Sequence, residues 1–233
     1  GELVRHLSSI GYNEKQIFDA GLSAQNDDGE YYERFINRIT FPINDKNGRT
    51  VAFGGRDLTN KAPAKYLNSP ETILFQKKNI VYNYHNAKKI VANESQLLVC
   101  EGYFDCITLS INGFRKSVAT MGTSMSAVQI QLLWQLSNLP ILCYDGDTAG
   151  VNAANRIIDI IFPILKPGYS MKFIFFPDGM DPDDFLKKRG KNEMDKLISN
   201  ATPLIDIFWA HFITSSNFGT PEDRANIENQ LNK

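Results

Sequence analysis

Two hydrophobic patterns divide the chain. From residue 96 to about residue 180, short apolar runs alternate with segments whose apolar residues recur at helical spacing. The predicted strands are QLLVCEG, KSVATMG, LPILCYD and MKFIFFPDG, and the predicted helices are YFDCITLSING, SAVQIQLLWQLSN and a third that ends near Leu165. Strands and helices in alternation predict a parallel sheet with right-handed crossovers.

The pattern on either side of this region is less regular. Upstream, ELVRHLSSIGY and NEKQIFDAGL predict two short helices, the second capped by Asn13, and NDDGEYY predicts a turn. RITFPINDKNGRTVAFGGRDL predicts a β-hairpin, TNKAPAKYLNSPET an irregular loop, and the segment before residue 95 a helix. After DPDDFLKKRG the chain is predicted to be helical to its end, with Thr220 capping the last helix.

These patterns predict an α/β protein in three parts. They are a mixed α+β subdomain over residues 1–95, a parallel-sheet domain over 96–188 and a helical segment over 189–233. The chain has 233 residues, 42% hydrophobic and 22% charged, a composition typical of globular proteins. No apolar stretch approaches the length of a membrane span and no signal peptide is recognised, so no membrane partner is expected. Because the first residue is Gly1, we expect a fragment or a processed product.

The cysteines and histidines do not predict a zinc site. The three cysteines form no CxxC pair and fall in predicted strands or helices, which favours buried thiols in a reducing compartment. The three histidines are far apart and lack the spacing of zinc ligands.

Charge is distributed unevenly. The whole chain carries −1, but residues 34 to 89 hold eleven Lys or Arg against three Asp or Glu, a net +8 that leaves −9 for the remainder. Such a basic segment is often a solvated face, but this asymmetry also suits a polyanion-binding surface beside a cation-binding centre.

Acidic side chains follow three of the four predicted strands. Asp145 and Asp147 end the third strand, and by themselves they are also compatible with an ordinary Asp-Gly turn. Glu101 closes the first strand, with Asp105 one turn into the next helix. The fourth strand runs into the group Asp181, Asp183 and Asp184. Because open α/β sheets bind ligands at the carboxyl ends of their strands, these acids are expected to converge. Oxygen ligands without His or Cys suit Mg²⁺, and hence phosphoryl or nucleotidyl transfer, or hydrolysis.

The motifs EGYFD, YDGDTAG and DPDD together resemble a TOPRIM domain, a fold shared by primases, topoisomerases and some nucleases. Upstream, RFINRITFPI, FGGR and KYLNSPETILFQKKNIVY resemble the segment that precedes the TOPRIM domain in bacterial replicative primases. The resemblance covers nearly the whole chain and is weakest in the first twenty-odd and the last thirty residues. KYLNSPE joined to a TOPRIM domain is specific for this family, whereas a lone DxD is not. One departure is Asn83, where the family is expected to have glycine.

The resemblance implies the catalytic core of a DNA primase, a DNA-directed RNA polymerase that makes short RNA primers on single-stranded DNA in the bacterial cytoplasm. Its partners would be the template, ribonucleoside triphosphates and the RNA primer–DNA hybrid. The zinc-binding domain and the domain that contacts the replicative helicase would lie outside this chain.

The resemblance also implies roles for particular residues. Metal-binding acids are matched by Glu101, Asp145 and Asp147, with Asp105, Asp181 and Asp183 around the same site. The ion would be Mg²⁺, with Mn²⁺ as a substitute. Basic positions of the nucleic-acid and nucleotide groove are matched by Arg34, Arg38, Arg56, Lys65 and Lys77. Tyr103 could be a packing residue or a substrate contact.

Other functions remain as alternatives. Another Mg²⁺-dependent TOPRIM enzyme, topoisomerase-like or nuclease-like, would share the acidic motifs, although a topoisomerase needs a nucleophilic tyrosine on another domain. A haloacid-dehalogenase-type phosphatase also has an aspartate pair after a strand, but normally with Thr or Val where this chain has Ala149. A non-enzymatic nucleic-acid-binding module would explain the basic segment but not the acids.

Overall fold

The computed structural model describes residues 1–59, 61–90, 96–122, 124–215 and 220–223. Its strands are β1 (Ser23–Gln25), β2 (Tyr31–Glu33), β3 (Arg38–Asn44), β4 (Thr50–Asp57), β5 (Tyr66–Asn68), β6 (Leu98–Cys100), β7 (Ser117–Ala119), β8 (Ile141–Asp145), β9 (Lys172–Phe176) and β10 (Thr202–Pro203). Its helices are α1 (Glu2–Ser9), α2 (Glu14–Asp19), α3 (Tyr84–Lys88), α4 (Tyr103–Ile111), α5 (Ala127–Leu136), α6 (Thr148–Ile161), α7 (Pro182–Ser199) and α8 (Leu204–Ser215). Among the described residues no helix has both the length and the apolar character needed to cross a membrane.

A five-stranded sheet with the order β10-β9-β8-β6-β7 organises residues 96–215, the central lobe. The four predicted strands are β6 to β9 and all pair in parallel, which confirms the predicted α/β fold class. Helices α5 and α6 pack on one face and α4 and α7 on the other, so the strands are buried on both sides. This two-sided burial explains why their sequences are continuous apolar runs. The short strand β10 adds to the edge in antiparallel orientation and was not predicted.

Residues 1–90 form the upstream lobe, which contains an antiparallel sheet with the order β3-β4-β5. The predicted hairpin is confirmed as β3 and β4, with an irregular register at Ile43/Asn44. The predicted irregular loop is wrong over residues 66–68, because this segment is β5 and pairs with β4. The predicted turn around NDDGEYY is correct between Asn26 and Glu30, but it joins two three-residue strands, β1 and β2, that are too short to show periodicity.

The predicted helix caps at Asn13 and Thr220 are confirmed. The Asn13 side chain accepts a hydrogen bond from the Gln16 N–H, and Thr220 Oγ1 accepts one from the Asp223 N–H. The rest of the predicted final helix, residues 224–233, lies outside the described residues. Helix α7 runs through the predicted boundary at 188/189, which stays a prediction, as does the boundary at 95/96.

Asn83 occupies a left-handed backbone conformation, with φ 64° and ψ 10°. Asparagine tolerates this region better than most residues, which explains how it stands where glycine was expected. Its Nδ2 donates to the carbonyl oxygen of Ser117 at 2.9 Å. Next to it, Tyr82 forms a β-bridge with Ala119, so the end of the upstream lobe attaches to the edge strand β7.

A small hydrophobic core joins the two lobes. It contains Ile43 and Ala52 from β3 and β4, Tyr103 from α4, and Phe75 and Met121 from the connecting loops. The Tyr103 ring packs so closely on β4 that a Cβ atom at Gly54 would lie 2.7 Å from its Cε1. The Tyr103 hydroxyl is buried with no hydrogen-bond partner among the described residues. Tyr103 thus packs between the lobes, and it also lines the cavity that contains the acids, so both predicted roles stay open.

Candidate metal and nucleotide site

The structure brings the predicted acidic residues to one edge of the central sheet. Glu101 follows β6, Asp145 is the last residue of β8, and Asp181 caps α7 after the turn that ends β9. Because these strands are parallel, their carboxyl ends lie side by side. Asp105 reaches the same edge from the first turn of α4.

Two glycines permit the close packing of the YDGDTAG loop. A Cβ atom at Gly146 would lie 1.7 Å from the carbonyl oxygen of Phe176, and one at Gly150 would lie 2.0 Å from the carbonyl oxygen of Asp145. Both contacts are with backbone atoms, which cannot move aside as a flexible side chain can. Gly146 therefore allows the aspartate loop to lie against the end of β9, beside the Asp181 turn, and Gly150 allows the start of α6 to lie against Asp145.

Hydrogen bonds orient three of the acids. Asp147 Oδ1 accepts the Gly150 N–H at 2.8 Å and caps α6, and Asp181 Oδ1 accepts the Asp184 N–H at 2.7 Å and caps α7. Asp183 accepts one hydrogen bond from Thr108 Oγ1 and one from Lys187 Nζ, at 3.1 and 2.5 Å.

The carboxylates repel one another in a partly buried environment. Burial, followed by the charges of Asp181 and Asp145, raises the pKa of Asp105 to about 7. Burial and then the charges of Asp181 and Asp147 raise the pKa of Asp145. The pKa of Glu101 is raised by burial and by Asp145 and Asp147, while Arg156 on α6 opposes the change. A cluster that disfavours its own negative charge in this way is stabilised by a divalent cation.

The donor set fits a hard cation. The described residues include one group of carboxylates whose oxygens lie within 4.8 Å of one another, Asp181, Asp183 and Asp184. Cys143 also faces the site, but burial raises the pKa of its thiol to about 12, which keeps it protonated. Oxygen donors beside protonated thiols suit Mg²⁺ or Mn²⁺ rather than a thiophilic ion. Asp184 was among the acids expected to converge at this edge, but not among those that the resemblance matched to the metal site.

A cavity of about 450 Å³ lies between the lobes. The central lobe contributes the acids Glu101, Asp105, Asp145 and Asp181 to its lining, and the upstream lobe contributes Lys65 and Lys77. Tyr66, Asn68, Tyr103 and Phe104 complete much of the wall. Carboxylates that can bind a metal ion and lysines that can bind phosphate therefore line the same cavity.

The five predicted basic residues have different environments. Arg34 Nε donates to the carbonyl oxygen of Asn68 at 2.9 Å, and the Arg38 guanidinium donates to those of Ala64 and Lys65 at 2.7 and 3.2 Å. Burial lowers the pKa of Arg34. Neither arginine lines the cavity, and both hold the segment that carries Lys65 and β5.

Arg56 connects the lobes through aromatic rings. Its guanidinium carbon lies 4.3 Å from the centroid of the Phe104 ring and 5.8 Å from that of Tyr66. Lys65 Nζ lies 5.7 Å from the same Tyr66 ring. Tyr66 and Phe104 were not among the predicted site residues, although aromatic residues next to basic or acidic ones in KYLN and EGYFD were a signal.

Comparison with known proteins places these features in a family. Residues 1–88 match the family model described as the N-terminal domain of the DNA primase catalytic core, and residues 98–186 match the Toprim-like model. A solved structure described as the DnaG primase catalytic domain bound to single-stranded DNA is 40% identical, with a TM-score of 0.88, and the match covers 96% of this chain and 73% of that one. The chain belongs to the DnaG primase family. This confirms the resemblance seen in the sequence.

Other DnaG relatives agree. The DNA primase of Haemophilus influenzae is 42% identical over 224 residues, and that of Escherichia coli strain K12 is 41% identical over 215. These matches cover 95% and 92% of this chain but only 38% and 37% of the relatives. The RNA polymerase domain of the Mycobacterium tuberculosis primase matches at 29% identity with a TM-score of 0.80, covering 99% of this chain and 81% of that one. The chain thus spans under two fifths of the length of these curated relatives.

Proposed function

We propose that the chain is the catalytic core of a DNA primase, a nucleotidyltransferase that makes short RNA primers on single-stranded DNA. One observation carries the proposal: the acidic edge of the central sheet and the lysines Lys65 and Lys77 line a single cavity. A polymerase needs both, because the reacting phosphates must be held and their charge must be offset.

The acids would hold Mg²⁺, with Mn²⁺ as a substitute. The proposed ligands are Glu101, Asp145, Asp147, Asp181 and Asp183. The bound ions supply electrostatic stabilisation of the phosphate oxygens during transfer. Two of these ligands support the role: burial, followed by the charges of neighbouring carboxylates, raises the pKa values of Glu101 and Asp145 in the absence of metal, and a bound cation would favour their charged forms.

Asp105 is proposed to take the proton of the attacking 3′-hydroxyl. In the metal-free chain, burial and the neighbouring carboxylates raise the pKa of its carboxyl to about 7, which is within the range in which a general base is effective. The side chain lines the cavity together with Glu101 and Asp145, which supports this role.

The basic residues divide into two proposed roles. Lys65 and Lys77 line the cavity and would contact phosphates of the triphosphate and the template. Arg34 and Arg38 would act indirectly, because their hydrogen bonds hold the backbone that positions Lys65. Arg56 would maintain the spacing of the lobes through its contact with Phe104.

The proposed partners are the single-stranded DNA template, ribonucleoside triphosphates and the primer–template hybrid, at the replication fork in the bacterial cytoplasm. The template is supported by the relative described as bound to single-stranded DNA. Contact with the replicative helicase is proposed for parts of the longer relatives that this chain does not match.

The test is primer extension. The chain, a primer–template and labelled ribonucleotides are combined with Mg²⁺, with Mn²⁺ or with EDTA, and Asp145→Asn is run in parallel. We expect metal-dependent extension that the variant lacks. Relaxation of supercoiled DNA or cleavage of the template, without extension, would instead indicate a topoisomerase-like or nuclease-like TOPRIM enzyme.

A further inference from the structure

Lys77 and Gly122 line two cavities at once. One is the cavity that contains the acids, and the other, of about 520 Å³, is lined in addition by Glu71, Lys78, Thr120, Ser124 and Gln129. A Cβ atom at Gly122 would lie 3.3 Å from Lys77 Nζ, so the ammonium group lies directly over this glycine. The second cavity therefore adjoins the first, with Lys77 at their boundary.

The backbone around the second cavity is fixed by a buried glutamine. Gln129 is 1% exposed, and its Nε2 donates to the carbonyl oxygens of Lys77, Ile80 and Thr120 at 3.2, 2.8 and 3.1 Å. Ser126 Oγ donates to the carbonyl oxygen of Lys78 at 2.5 Å. These bonds attach residues 77–80 to the start of α5, so that the two lysines are presented from a rigid backbone.

The lining of the second cavity suits an anion with several oxygens. Within the described part of the chain, neither Lys77 nor Lys78 forms an ion pair with a carboxylate. The Ser124 hydroxyl adds a hydrogen-bonding group, whereas Thr120 Oγ1 donates to the carbonyl oxygen of Gly122 at 3.4 Å, and Glu71 supplies one opposing charge. None of the acids at the sheet edge lines this cavity, so a ligand here would be held by lysines rather than through the metal.

We propose that the second cavity is a polyphosphate subsite beside the metal centre. The proposal rests on the function proposed above, whose chemistry requires such a place. When two nucleoside triphosphates are joined, the 3′-oxygen of the first bonds to the α-phosphorus of the second. The bond from that phosphorus to the pyrophosphate oxygen breaks, pyrophosphate leaves with the electron pair, and the hydroxyl proton goes to a base.

Two polyphosphates could occupy the subsite. The first nucleotide carries its own 5′-triphosphate, which must lie away from the triphosphate being cleaved because the two repel each other. The second candidate is the pyrophosphate that leaves. The same lysines would bind either group, and measurements of initiation and extension distinguish the two.

Binding is tested first, without nucleotides or metal. Inorganic tripolyphosphate is titrated calorimetrically into the chain and into Lys78→Gln, since Lys78 lines the second cavity and not the first. We expect affinity to fall about tenfold, as for the loss of a charged hydrogen bond. Lys78→Arg and Lys88→Gln, an exposed lysine that lines neither cavity, are the controls and should bind within about twofold of the parent chain. Equal affinity of Lys78→Gln and the parent would overturn the proposal.

Activity then identifies the source of the polyphosphate. If it is the first nucleotide, Lys78→Gln lowers dinucleotide synthesis about tenfold relative to extension of a 5′-hydroxyl primer. This difference disappears when the first nucleotide is a monophosphate. If it is pyrophosphate, initiation and extension fall together and inhibition by added pyrophosphate weakens. A variant that changes neither reaction excludes a role in the reaction and overturns the proposal. A chain that does not polymerise contradicts the proposed function, while the titration still decides whether the subsite exists.

Discussion

Gly146 and Phe176 are in direct contact: a Cβ atom at position 146 would lie 1.7 Å from the carbonyl oxygen of Phe176. This contact holds the loop between Asp145 and Asp147 against the end of β9, where the Asp181 turn begins. The position of the aspartates thus depends on a residue that has no side chain.

Gly146→Ala is therefore expected to disturb the acidic site and the fold together. The free energy of unfolding should fall by more than about 2 kcal/mol, because the clash is with backbone. Stabilisation by Mg²⁺, measured as the shift in Tm, should be lost. Gly168→Ala is the control: no atom lies within 4 Å of its Cβ position, so only its positive φ of 85° opposes the substitution. It should cost about 1 kcal/mol and leave the Mg²⁺ shift intact.

Asp145→Asn should abolish primer extension without unfolding the chain. The change removes one of several repelling charges, so the metal-free variant should melt at the same temperature as the parent or higher. Asp147→Asn should also be inactive but folded, because asparagine caps helices as well as aspartate does and α6 keeps its cap. Thermal melts with and without Mg²⁺ check both variants, and near-normal extension by either one in Mg²⁺ would contradict the assignment.

The stability of the metal-free chain should depend on pH through Asp105. The pKa of Asp105 in the folded state is about 7, whereas its ordinary value is 3.8. Between these two pH values the folded state therefore binds more protons than the unfolded state. Stability contributed by this group should therefore decrease as the pH rises from about 4 to about 7, and the Asp105→Asn variant should lack that contribution. The measurement is urea unfolding across this range in EDTA. The same slope in both proteins would show that Asp105 is not the titrating group.

Lys65 and Lys77 should contribute to DNA binding in a way that Arg34 and Arg38 do not. Replacing either lysine with glutamine should reduce the magnitude of the salt-dependence slope for single-stranded DNA by about 0.7, with little change in Tm. Replacing Arg34 should instead lower the free energy of unfolding by about 1.5 kcal/mol, because a part-buried carbonyl oxygen loses a charged donor, and replacing Arg38, whose bonds to Ala64 and Lys65 are exposed, should lower it by less. Fluorescence anisotropy at several salt concentrations, combined with melts, distinguishes the two classes. Equal slope changes for all four substitutions would show that the arginines also contact phosphate.

Arg56 gives a separate prediction about the contact between the lobes. Arg56→Lys keeps the charge but loses the planar group that lies over Phe104, so extension should fall more than DNA affinity does. Phe104→Leu should have the same effect, and the double variant should be no worse than either single one. Additive losses would mean that the two residues act independently.

The sequence by itself determined the central sheet and the position of the acids. Continuous apolar runs such as ILCYD reflect burial on both faces, a local property that each strand carries in its own residues. Parallel strands then place Glu101, Asp145 and Asp181 at one edge without further information. The caps at Asn13 and Thr220 were predictable for the same reason, since each hydrogen bond spans three residues.

Only the tertiary structure decided what the basic residues contact. Arg34 and Arg38 have the same charge as Lys65, but their donors reach carbonyl oxygens 26 to 34 residues away. The strand β5 is likewise created by pairing with β4, and the second cavity by the placement of residues 77–80 against α5. None of these contacts is encoded by spacing or periodicity, because they depend on how separate segments pack against each other.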